Sequence, residues 1–262
     1  MIRVASYNIR KAIGTDRRRR PERTLEVLNE LDADVIALQE ADRRFGGRLS
    51  ALPAWLIAEH SDYKPVAFEA RAGSIGWHGN AILVKKHVEV LDHSLFGLPA
   101  LEPRGAVMAD VAVDGARLRV VGMHLDLSGL WRRRQAQAIL AHLAGRDADW
   151  PVVLMGDLNE WSTRGGCLRD FAQLHLLAPC GRSFHARRPI AQLDHIMVTP
   201  DLVIRASGAH ASPTSRRASD HLPVWADLRL GESRQELPPP HPRLRTRLRS
   251  SLKAGKDRLL SR

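Results

Sequence analysis

Two short, nearly continuous apolar runs constrain the fold most: Asp34–Gln39 (DVIALQ) and Pro151–Met155 (PVVLM). Neither alternates apolar with polar residues, so each reads as a strand buried on both faces. Around them strand-like and helix-like patterns alternate. Arg3–Ile9, Ala81–Val84, Ala106–Val113, Leu118–Met123, Leu193–Val198 and Val224–Leu228 read as further strands. Pro21–Leu31, with Leu25, Leu28 and Leu31 on one face, and Leu130–Leu143 read as helices. Asp114-Gly115 between two strand patterns is a hairpin signal. Hairpins combined with crossovers specify a mixed-sheet α/β body with helices outside.

Charge divides the chain. Forty Lys and Arg against 29 Asp and Glu leave a net +11, which favours polyanionic partners such as nucleic acid or an acidic membrane face. More than half of that excess lies in residues 231–262, whose net charge is +6. This segment passes through Pro238-Pro239-Pro240-His241-Pro242 and then places Leu244, Leu248 and Leu252 on one helical face among arginines. The division predicts a body over 1–230 and a basic tail over 231–262. The tail reads as a peripheral membrane contact, a nonspecific nucleic-acid contact or a solvated extension. Two cysteines, Cys167 and Cys180, are too few for a disulfide framework and read as thiols of a reducing compartment. No apolar run reaches a membrane span, and the N-terminus alternates like a strand rather than a signal peptide. The location expected from these features is cytoplasmic, with the tail as the route to any membrane surface.

The chemistry sits where the strand patterns end. Asn8 follows the apolar end of the first strand pattern, Glu40 follows VIALQ, and His124 and Asp126 follow RVVGM. Asp157 and Asn159 follow VVLMG, Asp194 sits in QLDHIMV, and Asp220-His221 precede LPVWADL. A packed sheet would hold all of them at one rim. Grouped carboxylates are costly to bury unless a cation or proton neutralises them, which implies a hard ion bound through oxygen: Mg²⁺, with Mn²⁺ as the alternative. Asp157 and Asn159 are two apart, so on an extended segment their side chains would point the same way.

The ordered motifs Ser6-Tyr7-Asn8-Ile9, Leu38-Gln39-Glu40, His124-Leu125, Gly156-Asp157-Leu158-Asn159, Leu193-Asp194-His195-Ile196 and Ser219-Asp220-His221-Leu222-Pro223 resemble the endonuclease/exonuclease/phosphatase superfamily, the DNase-I-like group. The resemblance spans residues 1–230. It implies a four-layer α/β sandwich, two mixed β-sheets face to face with helices outside, and a metal-dependent phosphoester hydrolase. It further implies Glu40 as principal metal ligand with Asn8 and Asp220 nearby. By the same resemblance Asp157 orients or deprotonates the attacking water, Asn159 holds that water or a phosphate oxygen, and His221 contacts the scissile phosphate. Asp194 orients His221, and His124 is a second phosphate-facing histidine, for which the sequence offers no clear acidic partner.

Arg10, Arg17, Arg18 and Trp161 are the candidate substrate contacts, and Arg10-Lys11 after Asn8 leave no extra acid there for a second metal. His195 follows Asp194 on a strand and should face the other way, as a structural residue. The substrate expected first is nucleic acid. A phospholipid or other phosphodiester at an anionic membrane surface is the competing reading, and a non-catalytic polyanion-binding scaffold the third.

Overall fold

A computed structural model of the chain describes residues 1–43, 49–69, 73–100, 104–146, 150–162, 165–231, 235 and 237. The proline run and leucine stripe of the tail lie outside the described residues.

Among the described residues, twelve strands form two sheets. In chain order they are β1 (Ile2–Asn8), β2 (Val35–Gln39), β3 (Tyr63–Pro65), β4 (Ala81–Lys85), β5 (Glu89–Leu98), β6 (Arg104–Val113), β7 (Ala116–His124), β8 (Val152–Asp157), β9 (Leu176–Leu177), β10 (Asp194–Val198), β11 (Leu202–Ala209) and β12 (Val224–Leu230). One sheet runs β11-β12-β1-β2-β4-β3 and the other β5-β6-β7-β8-β10-β9. Among the described residues only β1–β2 and β7–β8 pair in parallel, and each pair is joined by a helix: α1 (Pro21–Leu31) and α3 (Gly129–Ala144). Shorter helices are α2 (Ala54–His60), α4 (Gly166–Phe171) and α5 (Ser215–Ala218).

Burial follows the two-residue period of the strands. Val4, Val35, Ala37, Ile82 and Val84 of the first sheet pack against Val107, Val120, Val153, Met155, Ile196 and Val198 of the second. The intervening residues Ala5, Tyr7, Ile36, Leu38 and Leu83 turn outward onto α1 and α2, with Leu25, Leu28 and Ile57. On the second sheet Val121, Met123 and Leu154 turn outward with Ala136, Ile139 and Phe171. Both central runs are therefore apolar throughout because both of their faces are covered. The result is helix, sheet, sheet, helix, the four-layer arrangement that the resemblance implies.

Local chemistry fixes the connections. Pro21 opens α1 at the position where a missing N–H costs nothing, and Asp32 closes it with a left-handed backbone. Asp114 and Gly115 both take positive φ, 47° and 81°, and join β6 to β7 as a two-residue hairpin. Gly156 is required by proximity: a Cβ there would lie 2.0 Å from the carbonyl oxygen of Met123 on the neighbouring strand.

Candidate active site

Strand parity and direction bring the polar residues together. Val4, Ser6 and Asn8 lie on the alternating positions of β1 that face the opposite sheet, as do Val153, Met155 and Asp157 of β8. Asp194 shares that parity with Ile196 and Val198 on β10, and His124 with Leu118 and Val120 on β7. Each apolar inward row thus ends in polar residues, Ser6 and Asn8 on β1 and a single one on β7, β8 and β10. The register aligns those ends: His124 pairs with Asp157 across β7–β8, and Asp194 with Asp157 across β8–β10. Because β1 and β2 run parallel, Asn8 and Gln39 end side by side and Glu40 leaves at the same rim. His221 arrives from the turn before β12, whose Val224 lies opposite Ser6.

Asp157 is the hub, 1% exposed. Its Oδ2 accepts from Asn8 Nδ2 at 2.9 Å and lies 3.5 Å from His124 Nε2 and 3.7 Å from His221 Nε2; its Oδ1 accepts from the Asn159 backbone N–H at 3.0 Å. Burial opposes its ionisation, but the two imidazoles and the donated hydrogen bonds outweigh burial, and its pKa lies below the ordinary aspartate value. Asp157 is therefore also the acidic group beside His124 that the sequence does not reveal.

His221 and Asp194 form a buried pair. Nδ1–H of His221 donates to Asp194 Oδ2 at 2.7 Å, and the Ser183 hydroxyl donates to the same oxygen at 2.6 Å. Burial works against the charged imidazole, yet Asp194, Asp157 and Asp220 together push its pKa up to about 10. The ring of Phe184 lies 4.9 Å from that of His221, centroid to centroid, and flanks it on one side. Ser183 and Phe184, both positioning residues for this pair, were missed by sequence reasoning. They sit in an irregular segment with no periodicity to mark them.

Asn159 departs from the sequence expectation. Its φ is 50°, so the segment after β8 is not extended, and the same-side argument from two-residue spacing does not apply. Its Nδ2 donates to the Leu125 carbonyl at 2.9 Å, which fixes the amide and orients Oδ1 by elimination of the other end. The following residue, Glu160, is buried against Arg132 of α3 and accepts from the backbone N–H of Ser162, which holds the loop in place. His195 turns to the opposite face, its Nε2 against the Gln192 carbonyl at 3.1 Å, and burial lowers its pKa to about 4. Asp126 caps a turn by accepting from Ser128 N–H at 2.8 Å and takes no part in the cluster.

Glu40 and Asp220 carry cations supplied by the chain. Lys11 Nζ donates to Glu40 Oε2, and Arg10 Nε lies 3.3 Å from Asp220 Oδ2. Burial would raise the pKa of Glu40, but Lys11, with His124 and His221 behind it, holds it below the ordinary glutamate value. Both imidazoles therefore act on Glu40 as well as on Asp157.

The donor set fits a divalent metal. Asn8, Glu40 and Asp220 offer hard oxygen ligands, and Glu40 already attracts a cation. Asp157, Asp194 and His221 also lie within 4.8 Å of one another through their ligand atoms. In that trio Asp194 Oδ2 is engaged by His221 and Ser183, which ties this oxygen to the imidazole, while the buried Oδ1 has no hydrogen-bond partner among the described residues.

Arg17 and Arg18 are exposed on the loop before α1, outside the acidic cluster. Trp161 is 61% exposed and meets Phe184 edge-on at 6.2 Å, on the rim.

The sequence matches the family model "Endonuclease/Exonuclease/phosphatase family" over residues 5–221. The chain belongs to that family. Among solved structures, the Bacteroides thetaiotaomicron mannosyl-6-phosphatase is 19% identical with a TM-score of 0.72, over 88% of this chain and 100% of that one. An endonuclease/exonuclease/phosphatase from Bacteroides vulgatus is 21% identical, TM-score 0.70, over 88% and 99%. The human Nocturnin catalytic domain with bound sulfate is 20% identical, TM-score 0.67, over 88% and 94%. At these identities the likeness concerns the fold. The curated proteins yield no match to the sequence.

Proposed function

We propose that the chain is a divalent-metal-dependent phosphodiesterase whose substrate is nucleic acid, with residues 1–230 as the catalytic body and 231–262 as a basic appendage. The observation that carries hydrolysis is the single row formed by His124, Asp157, Asp194 and His221, with Asn8 and Glu40 at the same rim.

Glu40, Asn8 and Asp220 are the residues that would hold the metal. When bound, Mg²⁺ or Mn²⁺ supplies positive charge to the phosphoryl oxygens. Asp157, held ionised by its neighbours, accepts a hydrogen bond from the attacking water and aims it, with Asn159 Oδ1 as second anchor. Its low pKa favours orienting the water over carrying its proton. His221, kept protonated by Asp194, donates Nε2–H to a phosphoryl oxygen, and His124 does the same from the other side of Asp157. Phe184 and Ser183 keep the imidazole from turning away.

A polyanionic substrate is supported by arginines that continue from the site. Arg187 Nη2 donates to the Thr15 carbonyl at 3.2 Å, Thr15 N–H to the Arg217 carbonyl at 3.0 Å, and Arg216 Nη1 to the Ala186 carbonyl at 3.2 Å. Ala186 N–H in turn donates to the Asp220 carbonyl at 2.7 Å. The Arg17–Arg20, Arg187-Arg188 and Arg216-Arg217 segments therefore form one basic surface beside Asp220, suited to successive phosphates.

A second reading, phospholipid hydrolysis at an anionic surface, is favoured by apolar side chains on the rim: Leu127, Trp161 and Ile190 are 77%, 61% and 60% exposed. Among the described residues no helix is long and apolar enough to cross a membrane.

The test is purified protein with Mg²⁺ against supercoiled plasmid, single-stranded DNA, RNA and anionic liposomes, with and without residues 231–262. Nicked plasmid or shortened strands support the nuclease, and headgroup release without strand cleavage supports the lipid enzyme. Glu40→Gln and His221→Ala are expected to abolish hydrolysis while keeping the fold. Full activity in either removes the role given to that residue.

A further inference from the structure

We propose that Lys11 is a built-in counter-cation of the site: it competes with a divalent ion for Glu40, limits that carboxylate to one ion, and once displaced binds a phosphoryl oxygen of the substrate. The inference rests on the reading of Glu40 as a metal ligand.

The geometry is specific to the chain leaving β1. After Ile9, three consecutive non-glycine residues, Arg10, Lys11 and Ala12, take left-handed φ values of 47°, 58° and 58°. Side chains with a Cβ disfavour that region, and a run of three persists only when its surroundings impose it. The surroundings here are the exit of β2. Ile9 N–H donates to the Gln39 carbonyl and Lys11 N–H to the Glu40 carbonyl, both at 3.0 Å, so the turn is stitched to the backbone of Glu40 itself. Glu40 is left-handed as well, at φ 53°.

The tightened turn sends two cations into the acidic cluster, Lys11 onto Glu40 and Arg10 towards Asp220. An ordinary surface ion pair joins two freely moving side chains and gains little. In this one both backbones are fixed relative to each other, and both side chains are only about one-quarter exposed. The ammonium therefore stays within reach of the rim whether or not it holds the carboxylate. An ion with two charges that arrives at Glu40 must displace it, and a second ion would meet the displaced ammonium. The nearest new partner for that ammonium is an anionic oxygen of the bound phosphate, for which a lysine serves as a mobile point charge.

The experiment is Mn²⁺ titration calorimetry on the full chain, with Lys11→Met and Lys11→Arg beside the unaltered protein, and with thermal melts in EDTA and in saturating Mn²⁺. The unaltered chain is expected to bind one Mn²⁺. Lys11→Met should bind it about tenfold more tightly, less than a fixed charge would impose because the ammonium can swing aside. At equal saturating Mn²⁺ that difference adds about 1.4 kcal/mol to the metal-induced stabilisation of Lys11→Met. In the same Mn²⁺, KM of Lys11→Met for bis(4-nitrophenyl) phosphate should rise about tenfold for the lost charge-assisted contact, and Lys11→Arg should restore most of it. Equal Mn²⁺ affinities in the unaltered chain and Lys11→Met overturn the inference and leave the metal reading standing. Absence of Mn²⁺ binding to both overturns the two together. Tighter metal binding with unchanged KM overturns the phosphate role.

Discussion

Replacing Asp194 with Asn tests how the fold prepares His221. The carboxylate accepts the Nδ1–H hydrogen bond at 2.7 Å and is the largest influence raising the imidazole pKa. The shift from 6.5 to about 10 is the net of that influence, helped by Asp157 and Asp220, against burial. At about 1.4 kcal/mol per pKa unit the surroundings favour the imidazolium by on the order of 5 kcal/mol. Asp194→Asn removes the charge and keeps the shape. Burial then dominates, and His221 should titrate near or below 6.5, the ordinary imidazole value. The sign follows: because the folded pKa is raised, the stability from the pair is full below the unfolded value and fades as pH rises through about 10. At neutral to mildly alkaline pH the variant would hold a neutral ring, and hydrolysis should fall about 10²–10⁴-fold. The assay is the His221 Hε1 resonance followed against pH in metal-free protein, with kcat/KM for bis(4-nitrophenyl) phosphate alongside. A ring that titrates near pH 10 in both proteins, or equal rates, would refute the argument.

Three further outcomes follow from the packing. Asp110 and Arg119 form a buried two-pronged ion pair, both contacts 2.8 Å, in the β6–β7 hairpin; Asp110→Ala removes the carboxylate from this buried guanidinium and should cost about 3–5 kcal/mol in urea unfolding. Gly156→Ala forces a methyl against the Met123 carbonyl, so it should destabilise the chain by about 3 kcal/mol and displace Asp157, visible as lost activity in whatever protein still folds. Phe184→Ala frees one face of His221 and should lower kcat more than it raises KM in steady-state assays, since the ring touches the imidazole and Trp161 rather than the acids.

What the sequence made legible follows its apolar periodicity. α1 is bounded in sequence by Pro21 and in structure by the left-handed Asp32, and its predicted limits coincide with those observed. The central strands were readable because VIALQ and VVLM are apolar on both faces, and the site residues because they end those runs. β5, β11 and α2 were not anticipated. β5 is largely exposed and bulged between Val90 and Asp92, β11 is bulged between Ile204 and Ala206, and α2 buries only Leu56 and Ile57. Weak or interrupted burial leaves weak periodicity. The proximity of His124 to Asp157 depends on strand register, and the placement of Lys11, Ser183 and Phe184 depends on irregular turns. Neither is written in local pattern.

The most direct measurement is the anomalous signal from Mn²⁺ in crystals of this chain. One peak about 2.0–2.2 Å from a Glu40 carboxylate oxygen, the distance usual for a small hard dication, with Asn8 or Asp220 beside it and His221 still on Asp194, is the predicted result. A peak ligated by Asp194 and His221, or none near Glu40, would contradict it.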